Sequence, residues 1–240
     1  MSTVAIIQAR MGSSRLPGKV LRALAGRPML DHVFERTSAI CGVDHVVVAT
    51  STNAADDAIA NWGKSTSRPI FRGSEDDVLG RYVAVIEKLG CDVVVRITAD
   101  CPLLDPNVCA RVLQEFEASD PSVDYAVTAG YPRGLDTEVI RAQALLDTHQ
   151  ETSNLAEREH VTLRLYRRPQ DHRIMEVTKG GVDLSEWRWT VDTPSDMRFV
   201  EAILQRLNPS DFRWESVYGI LESEPDLALI NSHIPQKSPD

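Results

Sequence analysis

The sequence lacks the features expected of a membrane, secreted or nucleic-acid-binding protein. No apolar run approaches the roughly 20 residues of a membrane helix, and no basic stretch precedes the short run Val4–Ile7 as it would in a signal peptide. Its four cysteines form no Cys-x-x-Cys pair, which argues against a zinc site and fits reduced thiols. The net charge of -9 argues against a basic nucleic-acid face. We therefore expect a cytoplasmic protein that binds neither membrane nor nucleic acid.

Two common phosphate-binding motifs are also missing. A Walker loop has the pattern Gly-x-x-x-x-Gly-Lys-Ser/Thr, whereas here the spacing between Gly12 and Gly18 is one residue longer and Val20 follows Lys19. The dinucleotide fingerprint Gly-x-Gly-x-x-Gly does not occur either. Neither a P-loop nor a dinucleotide-binding protein is expected.

The 240 residues do contain an alternation of apolar runs and amphipathic segments. Apolar runs predict strands at 3–8, 44–50, 69–71, 92–97, 123–128, 137–140 and 174–177, and a short one ending at Asp192. Helical spacing predicts helices at 29–40, 54–62, 74–89, 106–118, 142–148, 154–165, 195–207 and 214–222. This order predicts an α/β fold with a mostly parallel sheet flanked by helices.

Local residue types refine these boundaries. Asn53 is a plausible N-cap, and Ser74 with the acidic residues after it resembles the start of a helix. Asp196 fits a first helical turn, where the helix dipole favours a negative charge. The polar, proline-bearing tail 232–240 is expected to fray.

The loop after the first strand carries three cations, Arg10, Arg15 and Lys19, within ten residues. In an open parallel sheet, ligands lie beyond the carboxyl ends of the strands, where loop N–H groups can surround phosphate oxygens. Gly12 would allow close approach and a positive φ. The loop is a candidate polyanion site; the alternative is an ordinary solvated turn with surface cations.

Two aspartates follow apolar strands. Asp100 lies just past the fourth strand, on the sheet edge that carries the cationic loop, and Asp192 precedes the helix beginning near residue 195. Mg²⁺ takes one or two carboxylates together with phosphate oxygens and waters, so these two are the candidate metal ligands. The alternatives are a turn role for Asp100 and an N-cap or turn role for Asp192.

Together these segments resemble the CMP-sugar synthetase superfamily, and most of all the spore coat polysaccharide biosynthesis protein F group. The resembling stretches, in chain order, are 7–19, 71–82, 96–106, 134–138, 158–162 and 191–194. They span nearly the whole chain.

The resemblance implies the Rossmann-like nucleotide-diphospho-sugar transferase fold, a single domain over 1–240, and 130–185 as a sugar-side or dimer-forming excursion. It implies that Asp100 and Asp192 hold Mg²⁺, and that Arg10, Arg15, Lys19 and Asp100 are catalytic. The implied nucleotide contacts are Ala9, Arg10, Gly12, Ser13, Arg15, Lys19, Arg72, Gly73, Asp77 and Thr98. The implied acceptor contacts are Asp136, Glu138, Glu159 and His160. Relatives often have glutamine near the position of Thr98, so the acceptor and the base preference are left open.

The implied reaction transfers CMP from CTP to a sugar, such as a nonulosonic acid, with release of pyrophosphate and in a homodimer. Three alternatives remain at this point: a glycosyltransferase that consumes a nucleotide-sugar, transfer of CMP to a phosphonate or other non-sugar acceptor, and a non-catalytic nucleotide-binding module. The product separates the implied CMP transfer from the glycosyltransferase, because a glycosyltransferase releases a nucleoside diphosphate instead of pyrophosphate.

Overall fold

A computed structural model describes residues 1–235; residues 236–240, which end the tail predicted to fray, lie outside the described part. The strands are β1 Thr3–Gln8, β2 Ala23–Leu24, β3 Arg27–Pro28, β4 His45–Ser51, β5 Ile70–Gly73, β6 Val93–Thr98, β7 Val123–Ala129, β8 Glu138–Arg141 and β9 Arg173–Thr178. The helices are α1 Met29–Ser38, α2 Asp57–Thr66, α3 Val78–Leu89, α4 Pro106–Ala118, α5 Ala142–Glu151, α6 Leu155–Glu159, α7 Leu163–Arg167, α8 Pro194–Leu204 and α9 Trp214–Ser223. Short 3₁₀ helices span Lys19–Leu21, Ala54–Asp56 and Pro225–Ile230.

The main sheet has the order β5–β4–β1–β6–β8–β7–β9, and β2 and β3 form a separate hairpin. Parallel pairing joins β1 to β4 and β6, β4 to β5, and β7 to β9, whereas β8 is antiparallel to both of its neighbours. The predicted α/β fold with a mostly parallel sheet is therefore confirmed. Residues 130–185 supply β8 and β9 to this same sheet.

Helices cover both faces of the sheet. On one face, α1, α2, α4, α8 and α9 pack over alternate strand residues such as Ala5 and Ile7. On the other, α3, α5 and α7 pack over the intervening residues, such as Val4 and Ile6. This two-sided burial explains why the central strands are continuous apolar runs rather than alternating ones.

Two predicted helices differ from the structure in where they begin or break. The helix expected from Ser74 begins at Val78, because Asp77 has a non-helical backbone and accepts the Gly80 N–H at 2.8 Å as the N-cap. The helix expected over 154–165 is broken into α6 and α7 by Val161, which has φ +40°.

The strand expected to end at Asp192 does not form. Val191 N–H donates to Asp100 O at 2.8 Å, and Thr190 Oγ1 donates to the same carbonyl at 3.1 Å, so this segment is fixed to a turn instead of a ladder. Asn53 does act as a cap, accepting the Ala55 N–H at 2.9 Å, although it caps the 3₁₀ turn ahead of α2.

The register of the central strands places the functional edge. Gln8 and Thr98 end β1 and β6 side by side, and Gln8 is also paired with Ala49 on β4. The loop that follows β1 and the turn that follows β6 therefore leave the sheet at neighbouring points on its carboxyl edge, where α/β proteins bind ligands.

Gly134 holds the loop before β8 against the segment that carries Asp192. Its φ is +108°, and an added Cβ would lie 2.8–2.9 Å from backbone atoms of Trp189 and Thr190.

We expect Gly134→Ala to lower the free energy of unfolding by about 3 kcal/mol or more, from strain plus the steric clash. Urea unfolding measures this, with Gly219→Ala as the control. Gly219 lies within α9 with open space around it, so its variant should be neutral or more stable by up to about 1 kcal/mol. Equal stability of the two variants would contradict the steric account.

Candidate active site

The loop after β1 is anchored at both ends. Ala9 N–H donates to Ala49 O at 3.0 Å and Met11 N–H donates to Asp56 Oδ1 at 2.7 Å, while Gly18 N–H closes the loop on Met11 O at 3.0 Å. Gly18 has φ +69°, so the expectation of a positive φ at Gly12 is wrong and the left-handed residue comes later in the loop. This turn leads directly into the 3₁₀ helix that begins with Lys19.

The middle of the loop offers free hydrogen-bond donors. Within residues 1–235, no acceptor pairs with the backbone N–H groups of Gly12, Ser13, Ser14 and Arg15. Gly12, Ser14 and Arg15 are exposed, and no atom lies within 4 Å of a Cβ built on Gly12. A run of free N–H groups beside cationic side chains can bind phosphate oxygens.

Backbone contacts bring the two candidate metal ligands together. The turn after β6 starts with Ala99 N–H donating to Gln8 O at 3.0 Å, and its Asp100 carbonyl accepts from Thr190 and Val191. Asp192 follows Val191 and therefore lies beside Asp100, although 91 residues separate them in the chain. The predicted convergence of the two aspartates is found in the structure.

Lys19 lies between these two carboxylates. Its Nζ donates to Asp100 Oδ2 at 2.9 Å, to Asp192 Oδ1 at 2.8 Å and to Val191 O at 2.8 Å. The Lys19 side chain is 11% exposed, and Arg15 reaches Asp192 Oδ2 from the solvent side at 3.0 Å. The centre thus consists of two carboxylates around one cation, with the free N–H groups of the loop nearby.

The pKa shifts agree with a charged centre. Burial acts to lower the pKa of Lys19, but the facing carboxylates outweigh it and the net shift is upward. Burial acts to raise the pKa of Asp192, but Lys19 and Arg188 bring it down to about 2. The pKa of Asp100 is likewise lowered, because Lys19 outweighs desolvation. All three groups are ionised at neutral pH.

These groups line one cleft of about 260 Å³ at the carboxyl edge of the sheet. Its lining residues are Gln8, Arg10, Gly12, Ser13, Ser14, Arg15, Lys19, Val20, Thr98, Ala99, Asp100 and Asp192. All four residues predicted to be catalytic and both predicted metal ligands are among them. The cleft therefore unites the cationic loop with the two aspartates, as the sequence predicts.

The family profile described as cytidylyltransferase matches residues 4–217. The chain belongs to the cytidylyltransferase family. Spore coat polysaccharide biosynthesis protein SpsF of Bacillus subtilis is 33% identical over 230 residues, covering 93% of this chain and 95% of the relative. The resemblance to the CMP-sugar synthetase superfamily and to the spore coat protein F group is thereby confirmed.

Two further relatives extend this comparison. The 3-deoxy-manno-octulosonate cytidylyltransferase of Escherichia coli is 34% identical over 123 residues, about half of each chain. A solved cytidylyltransferase structure from Leptospira borgpetersenii superposes with a TM-score of 0.90 and covers 99% of this chain and 100% of its own, at 24% identity. That structure supports the fold.

Several predicted nucleotide contacts of this cytidylyltransferase lie away from the cleft wall. Ala9 is buried beside β4, and Arg72 donates to Ser51 O at 2.8 Å. Gly73 is packed over Arg81, whose Cγ would lie 2.7 Å from an added Cβ. These positions stay predicted nucleotide contacts, with Arg72 and Gly73 on the side of the base and ribose.

Asp77 has two structural roles. It caps α3, and its Oδ2 accepts from Arg158 Nη1 at 2.6 Å. Arg158 in turn donates to the backbone of Thr152 and His149. Asp77 thereby connects the start of α3 to the segment around α6, which carries two of the predicted acceptor contacts.

The four predicted acceptor contacts fall into two groups. Glu159 is exposed and its carboxylate lies 3.6 Å from Arg10, and His160 ends α6 one residue later. Asp136 accepts the Gly134 N–H at 2.9 Å, and desolvation raises its pKa. None of these three lines the cleft, and their contact with an acceptor stays a prediction.

Glu138 is instead part of a buried network. It pairs with Arg96, accepts from Tyr125 Oη at 2.5 Å and accepts from Thr162 Oγ1 at 2.8 Å. Desolvation would raise its pKa, but Arg96 outweighs this and lowers it. Glu138 connects the sheet to the start of α7, so its direct contact with an acceptor stays a prediction.

Sequence reasoning missed several residues at this site. Gln8 lines the cleft, and no donor within residues 1–235 pairs with its buried Oε1. Arg188 and Asn231 lie behind Asp192, and neither stands in a recognisable motif. The only local signal was the capping-box pattern of Thr193 and Asp196, which forms as a true capping box at the start of α8.

The donor set at the cleft fits Mg²⁺. Mg²⁺ takes one or two carboxylates and completes its coordination with phosphate oxygens and waters. Within residues 1–235, no group of three or more His, Cys, Asp or Glu side chains could hold a metal. Asp100 and Asp192 each approach the same Lys19 nitrogen within 2.9 Å, so their carboxylates already face a single cation position.

Within residues 1–235, no helix has the length and apolar character to cross a membrane.

Proposed function

We propose that this cytidylyltransferase transfers CMP from CTP to a sugar acid in an Mg²⁺-dependent reaction that releases pyrophosphate. The observation that carries the proposal is the position of Lys19 between Asp100 and Asp192, beside the free N–H groups of the loop. A carboxylate pair and a cationic loop on one cleft match the opposite charges of a divalent cation and a triphosphate.

In this proposal the loop and the aspartates divide the substrate between them. Gly12, Ser13 and Arg15 would bind the triphosphate oxygens through backbone N–H groups, with Arg10 adding charge. Asp100 and Asp192 would hold Mg²⁺, which supplies neutralisation of the charge that grows on the α-phosphate and the leaving pyrophosphate. Lys19 would remain beside the carboxylates as a cation that the phosphates can share.

The reaction is an in-line displacement. A hydroxyl oxygen of the acceptor attacks the α-phosphorus of CTP and passes its proton to solvent water, while the bond to the bridging oxygen breaks and pyrophosphate leaves with that electron pair. The chain contributes orientation and fixed positive charge, which usually supply most of the rate enhancement in such catalysis. The positive charges of Arg15 and Lys19 are already in position before substrate binds, because both side chains pair with Asp192.

The sugar-acid acceptor is supported by the relatives, which include a spore coat polysaccharide biosynthesis protein and a 3-deoxy-manno-octulosonate cytidylyltransferase. Asp136, Glu159 and His160 would receive the acceptor hydroxyls. The buried carbonyl oxygen of Gln8 suits a ligand donor, because unpaired buried polar groups are rare in native proteins. We place the product in surface polysaccharide or glycan biosynthesis.

A cytoplasmic homodimer stays part of the proposal. The region 130–185 contains β9 at the edge of the sheet, and it carries Leu155 and Val182, whose exposed fractions are 76% and 75%. An open sheet edge and exposed large apolar side chains are each features that proteins commonly cover by association.

The proposal predicts pyrophosphate release that needs CTP, Mg²⁺ and a sugar acid together. A coupled pyrophosphate assay over the four nucleoside triphosphates and a panel of nonulosonic and octulosonic acids measures it. We expect CTP to exceed the other triphosphates by at least about tenfold in kcat/KM, the discrimination given by about 1.4 kcal/mol of differential binding. Silence with every sugar acid, or release of nucleoside diphosphate from a nucleotide-sugar instead, would contradict it.

A further inference from the structure

Asp192 is held from behind by a buried polar cluster formed by Arg188, Asp196 and Asn231. Arg188 Nη2 donates to Asp192 Oδ2 at 2.6 Å, and its Nε donates to Asp196 Oδ1 at 2.8 Å. The Arg188 side chain is 4% exposed and that of Asp196 is fully buried. We name these three residues the Asp192 support.

Asn231 closes this cluster from the C-terminal segment. Its Nδ2 donates to Asp196 Oδ1 at 3.0 Å and to Arg188 O at 2.9 Å, across 35 and 43 residues of chain. Asn231 is itself buried and directly follows the 3₁₀ helix Pro225–Ile230, which packs against α8. The C-terminal segment therefore contacts both members of the ion pair behind Asp192.

The two carboxylate oxygens of Asp192 have different partners. Arg188 and Arg15 both take Oδ2, so Oδ1 is left for Lys19. Asp196 Oδ2 also accepts the Asp192 N–H at 3.0 Å, which fixes the backbone at the same residue. Arg188 at Oδ2 and Asp196 at the backbone N–H thus hold the side chain and the main chain of Asp192, and neither residue lines the cleft.

We propose that Asn231, through Arg188 and Asp196, is a positioning residue that sets the affinity of Asp192 for the divalent cation. This inference rests on the proposed function, because it assumes that Asp192 is a metal ligand. Loss of a group that orients a metal ligand typically lowers metal affinity 10–100-fold.

The test uses Asn231→Leu, which keeps the approximate volume and removes both hydrogen bonds. In thermal-shift titrations of Mg²⁺ at fixed CTP without acceptor, we expect the Mg²⁺ midpoint to rise on the order of tenfold. In turnover assays the Mg²⁺ requirement should rise by the same factor, while kcat at saturating Mg²⁺ changes much less. Arg188→Lys keeps the charge and loses the fork geometry, so it should give a smaller shift in the same direction.

Two controls separate positioning from loss of stability. Ile203→Ala on the same helix α8 removes buried apolar volume and lowers stability, but it should leave the Mg²⁺ midpoint unchanged. In an Asp192→Asn background, Asn231→Leu should shift the midpoint less than about twofold, because neighbouring sites act non-additively when one works through the other.

The outcomes distinguish failure of the positioning role from failure of the proposed function. Absence of any Mg²⁺-dependent stabilisation by CTP in the wild-type protein would overturn the proposed function itself. Stabilisation in the wild type with an unchanged midpoint in Asn231→Leu and Arg188→Lys, or a tenfold shift that persists in the Asp192→Asn background, would overturn the positioning role. If Asn231→Leu does not fold, Asn231→Ala, which also removes both hydrogen bonds, takes its place in the same titrations and in the Asp192→Asn background.

Discussion

Asp100→Asn is expected to lower kcat on the order of 10²–10³ while leaving the fold intact. The carboxylate of Asp100 faces the cation position, and an amide of the same size cannot neutralise a divalent cation. Lys19 keeps its contacts with Asp192 Oδ1 and Val191 O in this variant, so the loop should not collapse. Steady-state pyrophosphate release at saturating CTP and Mg²⁺ measures the loss, and circular dichroism with thermal melting checks the fold.

Asp192→Asn is the informative comparison for Asp100→Asn. Asp192 has three cationic partners, Lys19, Arg15 and Arg188, so its variant should lose stability as well as turnover. Removing one member of a buried ion pair costs about 3–5 kcal/mol, and the remaining pairing of Arg188 with Asp196 should keep the loss near the lower end. Turnover in Asp100→Asn within a few-fold of wild type would remove Asp100 from the metal site.

Lys19→Met is expected to reduce turnover by a similar factor, on the order of 10²–10³. Its stabilisation by Mg²⁺ should nevertheless be larger than that of the wild-type protein. Without Lys19 the carboxylates of Asp100 and Asp192 face each other with less positive charge between them. The metal-free protein should then melt at a lower temperature, because like charges in a partly buried site repel. Mg²⁺ alone should raise the melting temperature of the variant more than that of wild type, since the competing ammonium group is gone.

The control for this prediction is Lys64→Met, which removes a lysine from the last turn of α2, at an exposed position outside the cleft. It should leave both turnover and the response to Mg²⁺ at wild-type values, since exposed charges contribute little. A Lys19→Met protein with normal turnover, or with no greater response to Mg²⁺ than wild type, would mean that Lys19 does not share the carboxylates with the metal.

The sequence predicted the frame of the site because the frame depends on local signals. Buried apolar runs identify the strands, and parallel strands end on one edge, so Asp100 and the loop from Ala9 to Lys19 had to be neighbours. Asp192 was harder, since its predicted strand does not exist. Its place is set by hydrogen bonds to the Asp100 carbonyl, which only the folded chain reveals.

The Asp192 support could not have been predicted from the sequence. Arg188 and Asn231 meet across 43 residues, and neither residue type at its position indicates a partner. The partners of Glu138 could not have been predicted either, because a charged residue after a glycine-bearing loop resembles a ligand contact. Its actual partners, Arg96, Tyr125 and Thr162, come from three other segments of the chain.

Predictions of helix boundaries were wrong where side-chain partners competed with local helix propensity. Ser74 and the acidic residues after it form a good capping sequence, but Asp77 caps the helix instead and pairs with Arg158. Thr162 donates to Glu138, and the break at Val161 places His160 at the end of a short helix. In both cases a long-range ionic or hydrogen-bond partner outweighed the local propensity.

In the proposed reaction, one divalent cation and one triphosphate share the cleft among Asp100, Asp192 and the cationic loop. The most direct measurement is an anomalous diffraction map of crystals grown with Mn²⁺ and a CTP analogue whose α,β-bridge cannot be cleaved. We expect a Mn²⁺ peak in contact with Asp100 and Asp192, with analogue phosphates at the N–H groups of Gly12 to Arg15. A nucleotide bound in the cleft with the metal away from both aspartates would contradict it.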